Sequence, residues 1–453
     1  MKKLFYLICI AAGLQACAPS GDYKKYTGDP LLYCKTVKKL NDVVLYNNFP
    51  PVIASRNYAY ANIAAYECMV AGDSTYQTLS GQISHLPPMP QPHPGQEIDF
   101  NLAALLSFVK VGNAVTFPEG VLMDYYEELK ETARKQGMPK QVLKNTVAFS
   151  DTISATIMKW SKGDNYAQTR SAERFTLTAQ EGRWVPTPPA YSQAMEPHWC
   201  DIRTLALDSC NQFAPPPPPR YDMNESSAFY KELMEVKTVA DSLTDEQKHI
   251  AEFFDDNPFN LHVKGHVMYA TKKFSPPGHW MNIVGIAAEK AGADFSTTVA
   301  AYTGTSIALF DGFIACWKTK FTENSIRPET VINKFIDPNW QPYLQTPPFP
   351  SYVSGHSVIS PASAQIMTHY FGDNFAYTDT SGLEFGIASR SFQSFRDAAL
   401  EASWSRLYGG IHFRSDLEVG NEMGKQIGDF IVKRIEFRKR KEAGDEKLAA
   451  NNK

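Results

Sequence analysis

Five consecutive prolines, Pro215 to Pro219, close the stretch FAPPPPPR and cannot be helical. Such a run stiffens into an extended polyproline segment, so the folded mass must be built on either side of it. Two further connectors, HLPPMPQPHPG near residue 90 and GRWVPTPPAY from Gly182, interrupt the chain in the same way. Between connectors, apolar residues return every three or four positions, as in SRNYAYANIAAYECMV, NTVAFSDTISATIMKWSK and FSTTVAAYTGTSIALFDGFIACWKTKF. That is the helical period, and strand-like alternation is scarce. The pattern predicts an all-α fold of helical bundles in two halves, 18–220 and 221–440, with a soft boundary at the prolines and a polar tail over 441–453. The halves are free to share a core, and 453 residues at 43% hydrophobic supply enough material for one.

Residues 1–17, MKKLFYLICIAAGLQAC, begin with two lysines and continue with an apolar run too short to span a bilayer. The ending Leu14-Gln15-Ala16-Cys17 resembles a bacterial lipobox. This implies cleavage before the cysteine, lipidation of Cys17, and an exported protein anchored to a membrane, periplasmic or at the cell surface. An ordinary secretory signal is the other reading. No later segment reads as apolar for long enough to be a membrane helix. The net charge of -3 gives no overall attraction to nucleic acid, so any bound anion must be held by a local cluster of cations. Cys34, Cys68, Cys200, Cys210 and Cys316 are too scattered for a zinc ribbon or a disulfide scaffold, and spacing leaves a Cys200–Cys210 bridge undecided.

Three segments in the second half carry chemistry. In CWKTKFTENSIRPET, Lys320 and Arg327 lie seven apart, about two helical turns. Pro328 disfavours helix at Arg327, so the arginine is expected from just past a helix end. In TPPFPSYVSGHSVISPAS, Ser354-Gly355-His356 stands where a helix begins, a position that favours anions. In EASWSRLYGGIHFRSDLEVG, Arg406 precedes His412, and Asp416 follows four positions later. On a helix that spacing lets Asp416 hold one ring nitrogen of His412 and leaves the other free to attack or to ligate. Each segment alone also reads as ordinary structure: a surface pair, a cap, a helix histidine with an acidic neighbour. Together they supply three cations, neutral donors and two imidazoles around one small tetrahedral oxyanion, an arrangement suited to in-line displacement. Burying three cations without an anion among them is costly.

Lys320-x6-Arg327-Pro328, Ser354-Gly355-His356 and Ser405-Arg406-x5-His412-x3-Asp416 resemble the three signature segments of one superfamily. It joins vanadium-dependent haloperoxidases, bacterial acid phosphatases and type 2 phosphatidic acid phosphatases. Val353 stands where the middle segment usually has proline. The resemblance implies an oxyanion cage of Lys320, Arg327, Ser354, Gly355 and Arg406, with His412 as nucleophile or vanadium ligand, Asp416 orienting it, and His356 as acid–base partner. Trp317 and Phe349 match positions where haloperoxidases of the chloroperoxidase type carry a Trp and a Phe, implying an aromatic wall beside a halide. PPVIASRNYAYANIAAYECM, GRWVPTPPAY, EPHWCDI and FAPPPPPR are similar to the long N-terminal half of bacterial haloperoxidase-like proteins. The implied activity is therefore oxidation of a halide by hydrogen peroxide on a vanadate cofactor. The alternative implied by the same cage is an acid phosphatase that takes a phosphomonoester through a phosphohistidine at His412 and needs no vanadate. A binding lipoprotein that keeps the cage without turnover is the non-enzymatic alternative.

One further set invites a different reading. His262 and His266 form His-x3-His within DDNPFNLHVKGHVMYATKK, just after Asp255 and Asp256, and His279 follows in SPPGHW. Paired histidines on one helix face with nearby carboxylates are a divalent-metal pattern, which would make the chain a metallohydrolase. The other reading places this region at the entrance to the oxyanion site.

Overall fold

The computed structural model describes residues 22–117, 120–257, 260–264, 267–271 and 273–439. The expected leader over 1–17 with its Cys17, and the expected polar tail over 441–453, lie outside them. The part before the polyproline segment holds α1 (Asp22–Thr27), α2 (Pro30–Tyr46), α3 (Pro51–Val70), α4 (Phe100–Val115), α5 (Val121–Lys135), α6 (Lys140–Ser161) and α7 (Tyr166–Thr169). After it come α8 (Ala228–Asp241), α9 (Asp245–Phe253), α10 (Pro276–Ala291), α11 (Phe295–Glu323), α12 (Pro328–Phe335), α13 (Gly355–Phe371), α14 (Phe395–Tyr408) and α15 (Arg414–Arg434). The all-α expectation holds, with two small antiparallel hairpins added among the described residues. These are β1 (Asn260–Lys264) with β2 (Val267–Thr271), and β3 (Tyr377–Asp379) with β4 (Arg390–Phe392).

The first hairpin corrects the helical reading of the His262 region. Leu261 and Val263 alternate with polar residues before Lys264-Gly265, and Val267, Tyr269 and Thr271 recur at every second position after it, a strand and turn pattern rather than a helical one. His262 stands in strand β1 opposite Tyr269 and not on a helix, and His266 lies outside the described residues. Among the described residues, no group of three or more His, Cys, Asp or Glu is arranged to hold a metal ion. Cys200 and Cys210 are both free thiols.

The two halves do share a core. One buried apolar cluster runs from Tyr23 in α1 to Phe437 beyond α15, because α11 lies between α3 on one side and α13 on the other. That explains a second correction. The 29 residues of α11 are long and apolar enough to cross a membrane, contrary to the expectation for this segment, but its apolar window is wholly buried within the bundle. Threonine and glycine are scattered through its apolar run and hide that length from a reading by eye. The polyproline segment is itself tied to the second half, since the Tyr352 hydroxyl donates to the Pro216 carbonyl.

Helix α13 packs most intimately on α15, and glycines on α15 make this possible. A Cβ on Gly424 would lie 2.1 Å from the Val358 carbonyl oxygen. Gly424→Ala is therefore expected to push the two helices apart and cost about 1–3 kcal/mol, an overpacking penalty. A thermal melt of the variant checks this, and an unchanged midpoint would mean the helices tolerate a wider spacing.

Candidate functional site

Helix α11 ends where Asn324 takes the left-handed conformation, φ 47°, and the chain turns so that Arg327 becomes the residue preceding α12. The expectation that Arg327 is delivered from past a helix end is met. Arg327 and Lys320 are fully buried and Arg406 is 4% exposed. Backbone carbonyls hold all three. Lys320 Nζ donates to Pro350 O at 2.9 Å and Ser351 O at 2.8 Å. Arg327 Nε donates to Phe349 O at 2.9 Å and Nη1 to Ile411 O at 2.7 Å. Arg406 Nη2 donates to Phe254 O at 2.6 Å. Desolvation weakens the hold of each on its proton, most tellingly for Lys320, whose pKa is pushed well down by burial and by neighbouring Arg327. Arg327 is pushed down to about 9 by burial and remains charged at neutral pH.

Ser354 caps α13, its Oγ accepting from the Ser357 amide, and its own amide donates to the Asp416 carbonyl at 3.0 Å. Gly355 is then the first helical residue and His356 the second, as expected from the sequence. His412 and Asp416 meet by a different route from the one expected. His412 is not helical: Gly410, at φ 74°, turns the chain out of α14, and α15 starts only at Arg414. Asp416 sits in the first turn of α15 and points back toward that helix end, accepting from Phe413 N at 3.2 Å and from His412 Nδ1 at 2.8 Å. The Ser351 hydroxyl donates to the same carboxylate. Ser351 was not singled out in the sequence. Its only signal is its place in the proline-rich approach to the Ser354 segment.

A proton on Nδ1 leaves the Nε2 lone pair of His412 facing Arg327 Nη1, 3.1 Å away. Burial and the three cations keep His412 neutral, pushing its pKa well below the usual histidine value. His356 is depressed likewise, by burial first and then by Arg406 and His279. Of the expected cage and acid–base residues, Arg327 Nη2 and His356 Nε2 are buried without a hydrogen-bond partner among the described residues. Buried polar groups are rarely left so, and both suit an oxyanion.

A cavity of about 340 Å³ opens onto this cluster. His356, Arg406, His412 and Gly355 line it, as do Trp317 and Phe349, whose ring centroids are 5.0 Å apart. Lys320 and Arg327 stand behind this wall, and Ser354 immediately precedes the lining residue Gly355. Lys320 Nζ and Arg327 Cζ lie 5.0 and 5.1 Å from the Phe349 ring centroid. Every cage residue read from the sequence is therefore gathered into one place. Pro50, Pro51, Gln193 and Met195 also line the cavity, so the N-terminal half roofs it. Sequence spacing gave no signal for them.

A family model described as the VCPO second helical-bundle domain matches residues 300–439. A solved structure described as the first bacterial vanadium-dependent iodoperoxidase is 41% identical, with a TM-score of 0.86 over 91% of this chain and 98% of that one. The chain belongs to the vanadium-dependent haloperoxidase family. Within the family, bacterial vanadium-dependent chloroperoxidases solved in holo and apo form share the fold at 17% identity, with TM-scores of 0.64 and 0.63. No curated protein matches the chain.

The cations, neutral imidazoles and orphaned donors of this haloperoxidase fold suit a tetrahedral oxyanion such as vanadate. Sulfate, tetrahedral and dianionic from pH 6 to 9, is expected to raise the melting temperature, and more at pH 6 than at pH 9. The sign follows from Lys320: its folded pKa lies below the unfolded one, so the buried amine loses its proton first as pH rises, while the anion binds the ammonium form. At a hundredfold excess over Kd the gain is about 2.7 kcal/mol. A stabilisation that grows with pH would remove Lys320 from the anion site.

Proposed function

We propose that the chain oxidises halide with hydrogen peroxide, using vanadate ligated by His412 Nε2 and surrounded by Lys320, Arg327, Ser354, Gly355 and Arg406. The observation that carries the reading is the wall beside His412, where Trp317 and Phe349 pack against each other on the same cavity. A phosphomonoester has no need of such a polarizable aromatic face, whereas a halide approaching the cage gains a water-poor surface from it. Vanadate, when bound, supplies an electron-poor metal centre that activates peroxide toward halide.

The chain's own residues do the rest. Asp416 fixes the His412 tautomer, so that Nε2 is always the ligating atom. The three cations neutralise the oxyanion, and their carbonyl partners fix them in place before it arrives. His356, neutral and with Nε2 unpartnered among the described residues, is placed to move a proton at the cavity face of the cage. The matched iodoperoxidase makes iodide the first halide to test. After vanadate loading in phosphate-free buffer, peroxide-dependent oxidation of iodide, and more slowly of bromide, is expected. Hydrolysis of p-nitrophenyl phosphate with no halide oxidation would instead assign the phosphatase reading.

A further inference from the structure

Behind His356 lies a chain of buried groups that the proposed reaction does not use. His279 Nδ1 is 3.0 Å from both carboxylate oxygens of Asp256, and its Nε2 is 2.9 Å from Asp379 Oδ2. Asp379 in β3 is fixed in turn by the Ser381 amide at 2.9 Å and the Ser381 hydroxyl. Asp256 Oδ2 then faces the unpartnered His356 Nε2 across 3.8 Å. Side chains 23 and 100 positions away from His279 thus converge on one imidazole, all of them at most 5% exposed.

The ring is also packed by Phe253, Phe254 and Phe274 at centroid distances of 5.4, 5.6 and 4.7 Å. With a carboxylate on each nitrogen, both nitrogens must donate, so the ring is an imidazolium. Against burial, Asp256 and Asp379 raise its pKa to about 10.

The loop that His279 grips serves the cage twice. Phe254 and Asp255 present their carbonyls to the Arg406 guanidinium, at 2.6 and 3.5 Å, and Asp256 presents its side chain to His356. Asp256 holds φ at 43°, a left-handed backbone that a residue other than glycine keeps only when its surroundings impose it. The other charged groups at this loop are Asp255, paired with Lys273 at 3.4 Å, and Arg406.

We propose that His279, clamped between Asp256 and Asp379, is a positioning residue that sets the place of Asp256 against the acid–base histidine His356. This rests on the role given to His356 above. Without the clamp, two buried carboxylates lose their shared cation, and Asp256 is free to swing away from His356.

The test pairs a spectroscopic readout on the full chain without vanadate with turnover of the loaded enzyme. In ¹⁵N-resolved imidazole spectra at pH 8, His279 is expected to carry protons on both nitrogens, and His279→Gln is expected to shift the His356 ring resonances. At equal vanadate loading, kcat for iodide oxidation should fall about tenfold while the halide KM and vanadate Kd stay within about threefold. Asp379→Asn, which leaves the inner contact intact, should move both readouts in the same direction by less, and it decides the matter if His279→Gln does not fold.

A variant with unmoved His356 resonances, or with wild-type kcat despite a lowered melting temperature, would overturn the proposal by showing a purely structural cross-link. If the loaded wild type oxidises no halide, the functional reading fails by itself, and the His356 resonances still decide whether the clamp exists.

Discussion

His412→Ala is expected to lose both vanadate retention and turnover, with kcat/KM for iodide oxidation falling about 10³-fold or more, equivalent to about 4 kcal/mol. Nε2 of His412 is an imidazole lone pair aimed at the cations, and its direction is fixed by the Nδ1 contact to Asp416 at 2.8 Å. No other residue of the cluster offers a neutral nitrogen held in this way. The fold should survive, because Asp416 keeps the Ser351 hydroxyl and the Phe413 amide as partners, and the buried cations keep their carbonyls. The variant should therefore still be stabilised by sulfate while failing to keep vanadate through gel filtration, a difference measured by metal analysis of the eluted protein. Turnover near the wild-type rate would remove His412 as ligand.

His356→Ala should separate catalysis from binding. Its Nε2 lacks a hydrogen-bond partner among the described residues and faces Asp256 at 3.8 Å, whereas the fixed positive charge of the cage comes from Lys320, Arg327 and Arg406. Removing a neutral imidazole takes away a proton carrier and leaves the anion's counter-charges in place. The expected result is a loss of about 10²-fold in kcat with vanadate affinity changed by less than about tenfold. Steady-state kinetics at saturating vanadate, beside a vanadate titration, give the two numbers. If affinity collapses and kcat of the loaded fraction does not, the roles of His356 and His412 must be exchanged.

The parts of this site that could be read from the sequence are those governed by local rules. Pro328 places Arg327 outside a helix by sterics, and Ser354-Gly355 marks a helix start because a serine cap and a small first residue favour one. The joining of both halves into one core was permitted by the pattern but not required by it, since burial of α11 between α3 and α13 is decided by packing.

The His412–Asp416 contact was anticipated with the wrong geometry. A spacing of four looks helical, but Gly409-Gly410 ends α14 just before His412, and the carboxylate reaches the ring from the first turn of the next helix. Asp379 was invisible because its partner lies 100 positions away, and a buried ion pair leaves no periodic trace. The roof formed by Pro50, Pro51 and Met195 is likewise set by how one bundle docks on the other. The hairpin at His262 is hard to see in the sequence because two five-residue strands are too short to stand out from the helical period around them.

On the proposed function, the buried cations and His412 form a site for one vanadate, and this vanadate makes the chain a peroxidase. Titrating the metal-free enzyme with orthovanadate while following peroxide-dependent iodide oxidation tests it most directly. Activity should be absent at the start, rise to a plateau at one vanadium per chain, and fall again when excess phosphate competes for the cage. Iodide oxidation that is independent of vanadate, or none at any vanadate concentration alongside hydrolysis of a phosphomonoester, would contradict it.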